Sequence, residues 1–431
     1  MMSLVEWNHL PHAVYFAHNI AGGALDQFIT VALKRAGLPQ SVLSLLYCAK
    51  PIGALIAQPV AAAFADSWRS HTTVVRRCLV FASVCSVLVP IVHHLCMQAG
   101  LDAMLDASFV GFIMLVMSIA RAPVGPLVDM FTLKRLGNQR SAIGSVRVWG
   151  TAAYGLVGIL IGGPVRRCEW PLFIFIVFAA VELLLALPLT LMLATSHSQS
   201  TTPNTDTAEK KEEEPEKKEN KTDSKKPSVK DTLVEVLSSK RMIAFLVTVL
   251  GAGYCHAIFA QYATLYMVSR NDTSPDILSK AAFVKLLGEV PVLLFGRHFI
   301  QLLGARGLVL LSLGSSILRL CGLLTLQGDW LALPQLLHGG TFGAFWLVMM
   351  MFASELAPKG SEATSQAVVS VTYGGAACVI SGLLNGFILE IFGYRTVFSI
   401  AIAVAAIAAT VFIVAVPTGS SQTDKEKQKQ E

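Results

Sequence analysis

Several ionisable side chains interrupt otherwise apolar stretches of this sequence. Lys285 and Glu289 stand four apart in LSKAAFVKLLGEVPVLL, so a helix there carries both on one face. Arg319, in SILRLCG, and His338, in QLLHGGTFGAFW, interrupt the next two apolar runs. In a low-dielectric cavity, desolvation disfavours a carboxylate and nearby cations favour it. One carboxylate, two cations and an imidazole brought together there form a site that can take and release a proton. The same groups could equally form a static ion network that only fixes helix packing.

The first half of the chain carries a second set. Asp26 follows two glycines in AGGALDQF, and Lys50, next to Pro51, could be its partner or could leave it free for a ligand. Arg121, close to Pro123 and Pro126, invites the same two readings. PLVDMF ends one apolar run at Asp129, and VRVWG opens the next at Arg147. An acid and an arginine facing one cavity offer acceptors beside a planar fork of donors. Tyr154, two turns beyond Arg147, adds an aromatic face suited to a sugar or heterocycle. Arg147 could instead only anchor its helix at the interface by snorkelling. Glu182 is ambiguous. His18 and His256 read more readily as packed histidines than as ligands, and Trp346 could line a cavity or face lipid.

Placing these groups requires helices in lipid. Of 431 residues, 54% are hydrophobic and only 14% charged, against about 25% charged in soluble domains. Mean hydropathy is +0.59. A soluble enzyme, a disordered chain and a disulfide scaffold are excluded on these figures. The net charge of +6 comes from no single basic patch, so nucleic acid is not an expected partner. A spanning helix needs about 20 apolar residues. Twelve such runs are legible: 12–33, 41–64, 76–96, 106–129, 143–164, 170–194, 242–268, 278–299, 304–326, 330–353, 365–389 and 395–416.

Residues 195–240 hold ten acidic side chains and little apolar content, as expected of a disordered linker. The expected organisation is therefore an all-α membrane protein of twelve transmembrane helices in two six-helix bundles. The N-terminal bundle covers 1–194, a cytoplasmic linker 195–240, the C-terminal bundle 241–417 and a cytoplasmic tail 418–431. Residues 227–242 could lead into the second bundle as an interfacial helix. Lys and Arg on alternate loops divide 22 to 7, which places both termini and the linker in the cytoplasm. Gly150, Gly158 and Gly162 of one run coincide with Gly374, Gly382 and Gly386 of another at a fixed offset of 224, an internal repeat between the halves. Small residues so spaced let helices approach closely.

The eight cysteines form no C-x-x-C pair, and neither a metal nor a cofactor is expected. A disulfide between Cys96 and Cys168 is open. The first ten residues include Glu6 and no Lys or Arg, so a cleavable signal is not expected. No P-loop motif is present, so ATP is not the expected driver. Asn271-Asp272-Thr273 is a sequon close to the membrane on the outer side, and Asn220-Lys221-Thr222 falls on the cytoplasmic side.

The segments around Glu289, Arg319 and His338 resemble spans 8, 9 and 10 of the lactose-permease-like branch of the major facilitator superfamily, which includes nucleoside:proton symporters and phenylpropionate-type permeases. The match of Asp129, Arg147 and Tyr154 to that branch extends the resemblance over 12–416. It implies substrate binding by Asp129, Arg147, Tyr154 and Glu289, and proton coupling by Glu289, Arg319 and His338; Asp26, beside its glycine pair, is expected to join the substrate-binding set. It also implies proton symport of a small polar organic solute, sugar- or nucleoside-like, through rocking of two bundles. A monomer in the plasma membrane is the default expectation. Two departures stand out. Thr341 occupies the place of the branch's main proton-carrying carboxylate. The loop usually written G-x-x-x-D-R-x-G-R-R reads AFADSWRSHTT, keeping Asp66 but placing Ala62 for glycine and displacing the basic residues to Arg69, Arg76 and Arg77. A receptor or scaffold, and a uniporter without protons, are the competing readings.

Overall fold

The apolar runs fold as helices because lipid offers their backbone groups no hydrogen-bond partners. A computed structural model describes residues 9–39, 42–43, 46–48, 50–53, 71–136, 143–195, 238–357 and 362–415. Most of the linker, the 227–237 stretch, the Ala62–Asp66–Arg69 loop, Asn220 and the tail lie outside the described residues.

The first half contains α1 (Leu10–Asp26), α2 (Ile29–Arg35), α3 (His71–Gln98), α4 (Ala103–Arg121), α5 (Val124–Leu136), α6 (Ile143–Arg167), α7 (Phe173–Val181) and α8 (Leu187–Thr195). The second contains α9 (Lys240–Ser269), α10 (Ile277–Leu294), α11 (Gly296–Thr325), α12 (Phe345–Glu355), α13 (Glu362–Ser370) and α14 (Ala377–Ala415). Among the described residues, eight helical stretches are long and apolar enough to cross a membrane. Several runs read as single spans are interrupted. The first breaks at Gln27 and Phe28, and the fourth breaks before Pro123, whose ring cannot supply a helical N–H. By contrast, Gly393 (φ 77°) divides α14 between the expected runs 365–389 and 395–416, and Gly304 (φ 66°) divides α11 at the start of the run 304–326, both in non-helical left-handed backbone that favours glycine.

Among the described residues three π-helical stretches lie within the runs: Glu182–Ala186, Gly339–Ala344 and Val371–Ala376. Such wide turns concentrate at functional positions. They carry Glu182, Thr341 and Tyr373. A 3₁₀ stretch, Gly328–Leu337, leads into His338.

Helix α1 packs on α6 and α7, and α3 on α4; in the second half α9 and α11 pack on α14. Near the linker each half keeps its own apolar core. Leu10, Val75 and Phe131 belong to one, and Met242, Phe352 and Phe412 to the other. At the far end a single core holds residues of both halves, among them Phe28, Phe175, Tyr262, Ile277 and Phe398. Large apolar side chains such as Phe112, Leu184 and Phe387 face outward, as suits a surface bathed in lipid.

The far end is also sealed by polar contacts and close helix packing. Arg167 pairs with Asp276 at 2.6 Å, and Arg166 donates to Thr273 Oγ1 (3.1 Å) and to the Ser274 carbonyl. A Cβ added to Gly158 falls 2.8 Å from Ala282, and one on Gly162 falls 2.7 Å from the Ser279 backbone nitrogen. Two of the three repeat glycines of α6 thus let it lie against α10. Gly162→Val is expected to pry these helices apart at a cost of about 1–3 kcal/mol. An unchanged melting temperature for that variant refutes the close approach as a source of stability.

Outside the spans, Arg270 donates twice to Asp272 (2.7 Å each), and the Gly328 N–H adds a third bond at 2.8 Å. The Arg270 bonds, with the Gly328 N–H, hold the Asp272 carboxyl well below the usual carboxylate range. A depressed carboxyl stabilises above its ordinary value and loses that contribution only as pH falls through the depressed one. This clasp is therefore constant across physiological pH. In the neighbouring sequon the Thr273 hydroxyl is buried and donates to the Met267 and Arg270 carbonyls. Glycosidase treatment is expected to leave the protein's gel mobility unchanged. Cys96 and Cys168 are both free thiols.

Candidate functional site

Among the cavities between the described helices are three of about 100, 350 and 200 Å³, and Asp26 and Tyr154 line all of these. The smallest draws on both halves: Asp26 and Tyr154 from the first, His256, Lys285, Arg319 and His338 from the second. The largest is walled by Tyr47, Lys50, Arg121 and Phe178, together with His256. The third opens among Tyr15, His18, Asn19, Arg121 and Asp129.

Local structure explains how these groups reach the cavities. Asp26 is the last residue of α1, where the helix breaks. The next residue, Gln27, donates to the Gly23 carbonyl (3.2 Å) and to the Tyr154 carbonyl (2.7 Å), fixing α6 beside the break. Lys50 pairs with Asp26 at 2.5 Å. Asp129 and Arg147 pair at 2.6 Å, and the Tyr15 hydroxyl donates to the same carboxylate. Asp129 lines the third cavity, and Arg147 is its ion partner.

Arg121 donates to Glu182 Oε1 through Nε (3.0 Å) and Nη2 (2.8 Å), and lies over the Phe178 ring at 4.9 Å. Glu182 is 0% exposed, and its second oxygen faces His18 Nδ1 at 3.3 Å. His18 in turn meets Thr190 at 2.8 Å. Of this mid-span glutamate only Oε1 accepts hydrogen bonds among the described residues, both from Arg121; Oε2 is buried without one.

In the second half, Arg319 is only 2% exposed. Its Nη1 lies 3.1 Å from His338 Nδ1 and 3.2 Å from Thr341 Oγ1, its Nη2 donates to Gln335 Oε1, and its carbon centre sits 3.9 Å over the Phe259 ring. A guanidinium can only donate, so Nδ1 of His338 accepts and Nε2 carries the hydrogen. That Nε2 faces Glu289 Oε2 at 3.4 Å. Arg319, His338 and Glu289 therefore form one chain, with the imidazole neutral and in a defined tautomer. Glu289 reaches His338 because Gly288 and Gly339 cross without side chains. A Cβ on Gly288 falls 1.9 Å from the Leu336 carbonyl oxygen, and one on Gly339 falls 2.0 Å from that of Gly288.

Lys285 and Glu289 turn to different partners despite their spacing. Lys285 Nζ stands 5.0 Å over the Tyr154 ring, which joins α10 to α6. Among the described residues neither Lys285 nor Arg319 has a carboxylate within ion-pair distance. A charge inside a membrane costs about 2.5–3.5 kcal/mol on insertion scales, so such groups belong in wet or ligand-filled cavities.

His256, expected as a packed histidine, stacks on Phe342 at 5.2 Å, which in turn stacks on His338 at 5.6 Å, and it also lines two of the cavities. Gln335 and Tyr15 were not singled out by residue type or spacing, since each gains its role from a neighbour on another helix. Trp346 stacks on Phe342 at 5.7 Å and is 37% exposed.

A multi-helix fold with a polar cavity between its halves now has a family context. The MFS_1 like family model matches residues 11–400. The chain belongs to that family. It is a multi-pass membrane transporter of the major facilitator superfamily and not an enzyme. The Uncharacterized transporter YwbF of Bacillus subtilis is 21% identical over 307 residues, covering 70% of this chain and 69% of that protein. Sugar efflux transporter A of Dickeya chrysanthemi is 31% identical over 157 residues, 36% of this chain and 39% of that one. Among solved structures, the nucleoside transporter NupG superposes with a TM-score of 0.71 at 16% identity, covering 95% of this chain and 99% of that one. A peptide transporter POT in complex with sulfate gives 0.64 at 13% identity, over 93% of each chain. At such identities this MFS_1 like protein shares the fold with both.

Proposed function

We propose that this transporter moves a small polar organic solute, sugar- or nucleoside-like, by proton symport with alternating access. The observation that carries the reading is the cavity lined from both halves by Asp26, Tyr154, Lys285, Arg319 and His338. Twelve spans in two six-helix bundles, 1–194 and 241–417, rock about that cavity, joined by the 195–240 linker and followed by the 418–431 tail. Both termini and the linker lie in the cytoplasm, and the protein works as a monomer in the plasma membrane. The end sealed by α6 and α10 is then the outer one, and the separate cores near the linker mark the side open to the cytoplasm. Asp129, Arg147, Tyr154, Asp26 and Glu289 bind the solute. Glu289, through His338 and Arg319, exchanges the proton. One proton moving through 100 mV supplies about 2.3 kcal/mol, enough for about fifty-fold accumulation at one-to-one coupling.

The Arg319–Thr341 hydrogen bond favours a second reading. A hydroxyl there carries no exchangeable charge, as suits a uniporter. Proteoliposomes with an imposed pH gradient separate the two readings. Symport predicts solute-dependent acidification of the lumen, and Glu289→Gln is expected to cut gradient-driven uptake at least about tenfold while leaving folding intact. Uptake indifferent to the gradient supports the uniporter. Glu289→Gln with unchanged uptake and unchanged pH dependence overturns symport, and absence of any uptake leaves only a receptor or scaffold.

A further inference from the structure

The ionic groups around the cavities do not cancel. Asp26 is neutralised by Lys50, Asp129 by Arg147 and Glu182 by Arg121. Lys285, Arg319 and Glu289 remain, which with Glu289 ionised and His338 neutral sums to one positive charge. The acceptors around Arg319 are all uncharged: an imidazole, a hydroxyl, an amide oxygen and the Phe259 ring. Lys285, among the described residues, has no hydrogen-bond partner at all and rests over Tyr154. Donors are in surplus too. Arg319 Nε and Gln335 Nε2 are buried with no acceptor, and both residues line the same cavity as Lys285. Buried N–H groups normally have partners, so each unfilled one needs a reason.

We infer that this cavity takes a small organic monocarboxylate, with Lys285 and Arg319 holding the carboxylate and Tyr154 packing against the body of the molecule. A single negative charge balances the site, whereas a phosphate monoester with two charges overshoots it. A carboxylate also supplies acceptors for the unfilled Arg319 and Gln335 donors, which a neutral hydroxyl-bearing solute does less well. The inference rests on the transport reading only in calling the ligand a substrate: the polar solute carries a carboxylate, as a uronate differs from its sugar.

The test uses the full-length protein in lipid nanodiscs and matched probes: glucuronate against glucose, benzoate against benzamide, and uridine against its 5′-monophosphate. At least one carboxylate is expected to bind about tenfold or more tightly than its neutral twin. Lys285→Met removes that preference and Lys285→Arg restores it; neither disturbs a hydrogen bond that the fold uses. The inference is overturned if neutral twins bind as well as carboxylates, if the phosphate monoester binds best, or if the preference survives Lys285→Met. It is equally overturned if neither carboxylate binds with a Kd below about 10 mM. Gradient-driven uptake of glucose with Glu289 dependence sinks this inference and leaves the transport reading intact. Lys285-dependent carboxylate binding without uptake does the reverse.

Discussion

Gly288→Ala is expected to lower the melting temperature of the protein and to abolish coupled uptake. The added methyl carbon meets the Leu336 carbonyl oxygen at 1.9 Å, and no side-chain rotation can relieve a clash with backbone. Helix α10 must move away from the 3₁₀ stretch by about an ångström, which costs 1–3 kcal/mol or more by the usual price of overpacking, about the scale of a failed core substitution. The same movement draws Glu289 away from His338, now 3.4 Å apart. Gly314→Ala in α11 is the control, because its added carbon meets nothing within 4 Å. It is expected to be neutral or to gain up to about 1 kcal/mol from helix propensity. Thermal melts of the two purified variants, with uptake beside them, decide the matter. If Gly288→Ala melts and transports like the parent, the bare crossing of these segments is not what positions the acid.

Arg121→Leu is expected to destabilise the protein by about 3 kcal/mol, because it strands the Glu182 carboxylate in a fully buried place. His18 remains but contacts only the second oxygen. Removing both charges with Arg121→Leu and Glu182→Leu together should recover most of that loss, since a buried pair adds little over well-packed apolar residues. The pair is close enough for its energies to couple, so a double-mutant cycle on the melting temperatures isolates the interaction. A double variant as unstable as the sum of its parts contradicts this account. Arg121 also lines two cavities, so uptake by a stable double variant tests whether it serves transport as well as folding.

The order of apolar runs, the polar break at 195–240 and the mid-span charges are one-dimensional features. Lipid requires long unbroken helices and penalises isolated charge, so these features are readable without coordinates. That logic reached the Asp26–Lys50 contact as an open alternative, because the two residues sit on neighbouring runs, and it set Asp129 and Arg147 at one cavity without pairing them. It did not reach the fate of Lys285 and Glu289. Their spacing put both on one helix face, but the partners that separate them, Tyr154 and His338, come from α6 and from the turn before a π-helical stretch. Nor could it weigh Glu182, whose partners His18 and Arg121 lie 164 and 61 positions earlier.

The sequence by itself determined that this is a helical multi-pass membrane protein with ionisable groups interrupting its apolar runs, because hydropathy and charge act residue by residue. Only the tertiary structure decided which charges cancel and which stay uncompensated around a cavity. That outcome depends on where bare glycine crossings and helix breaks bring distant backbones together, and pairing falls off within a few ångströms.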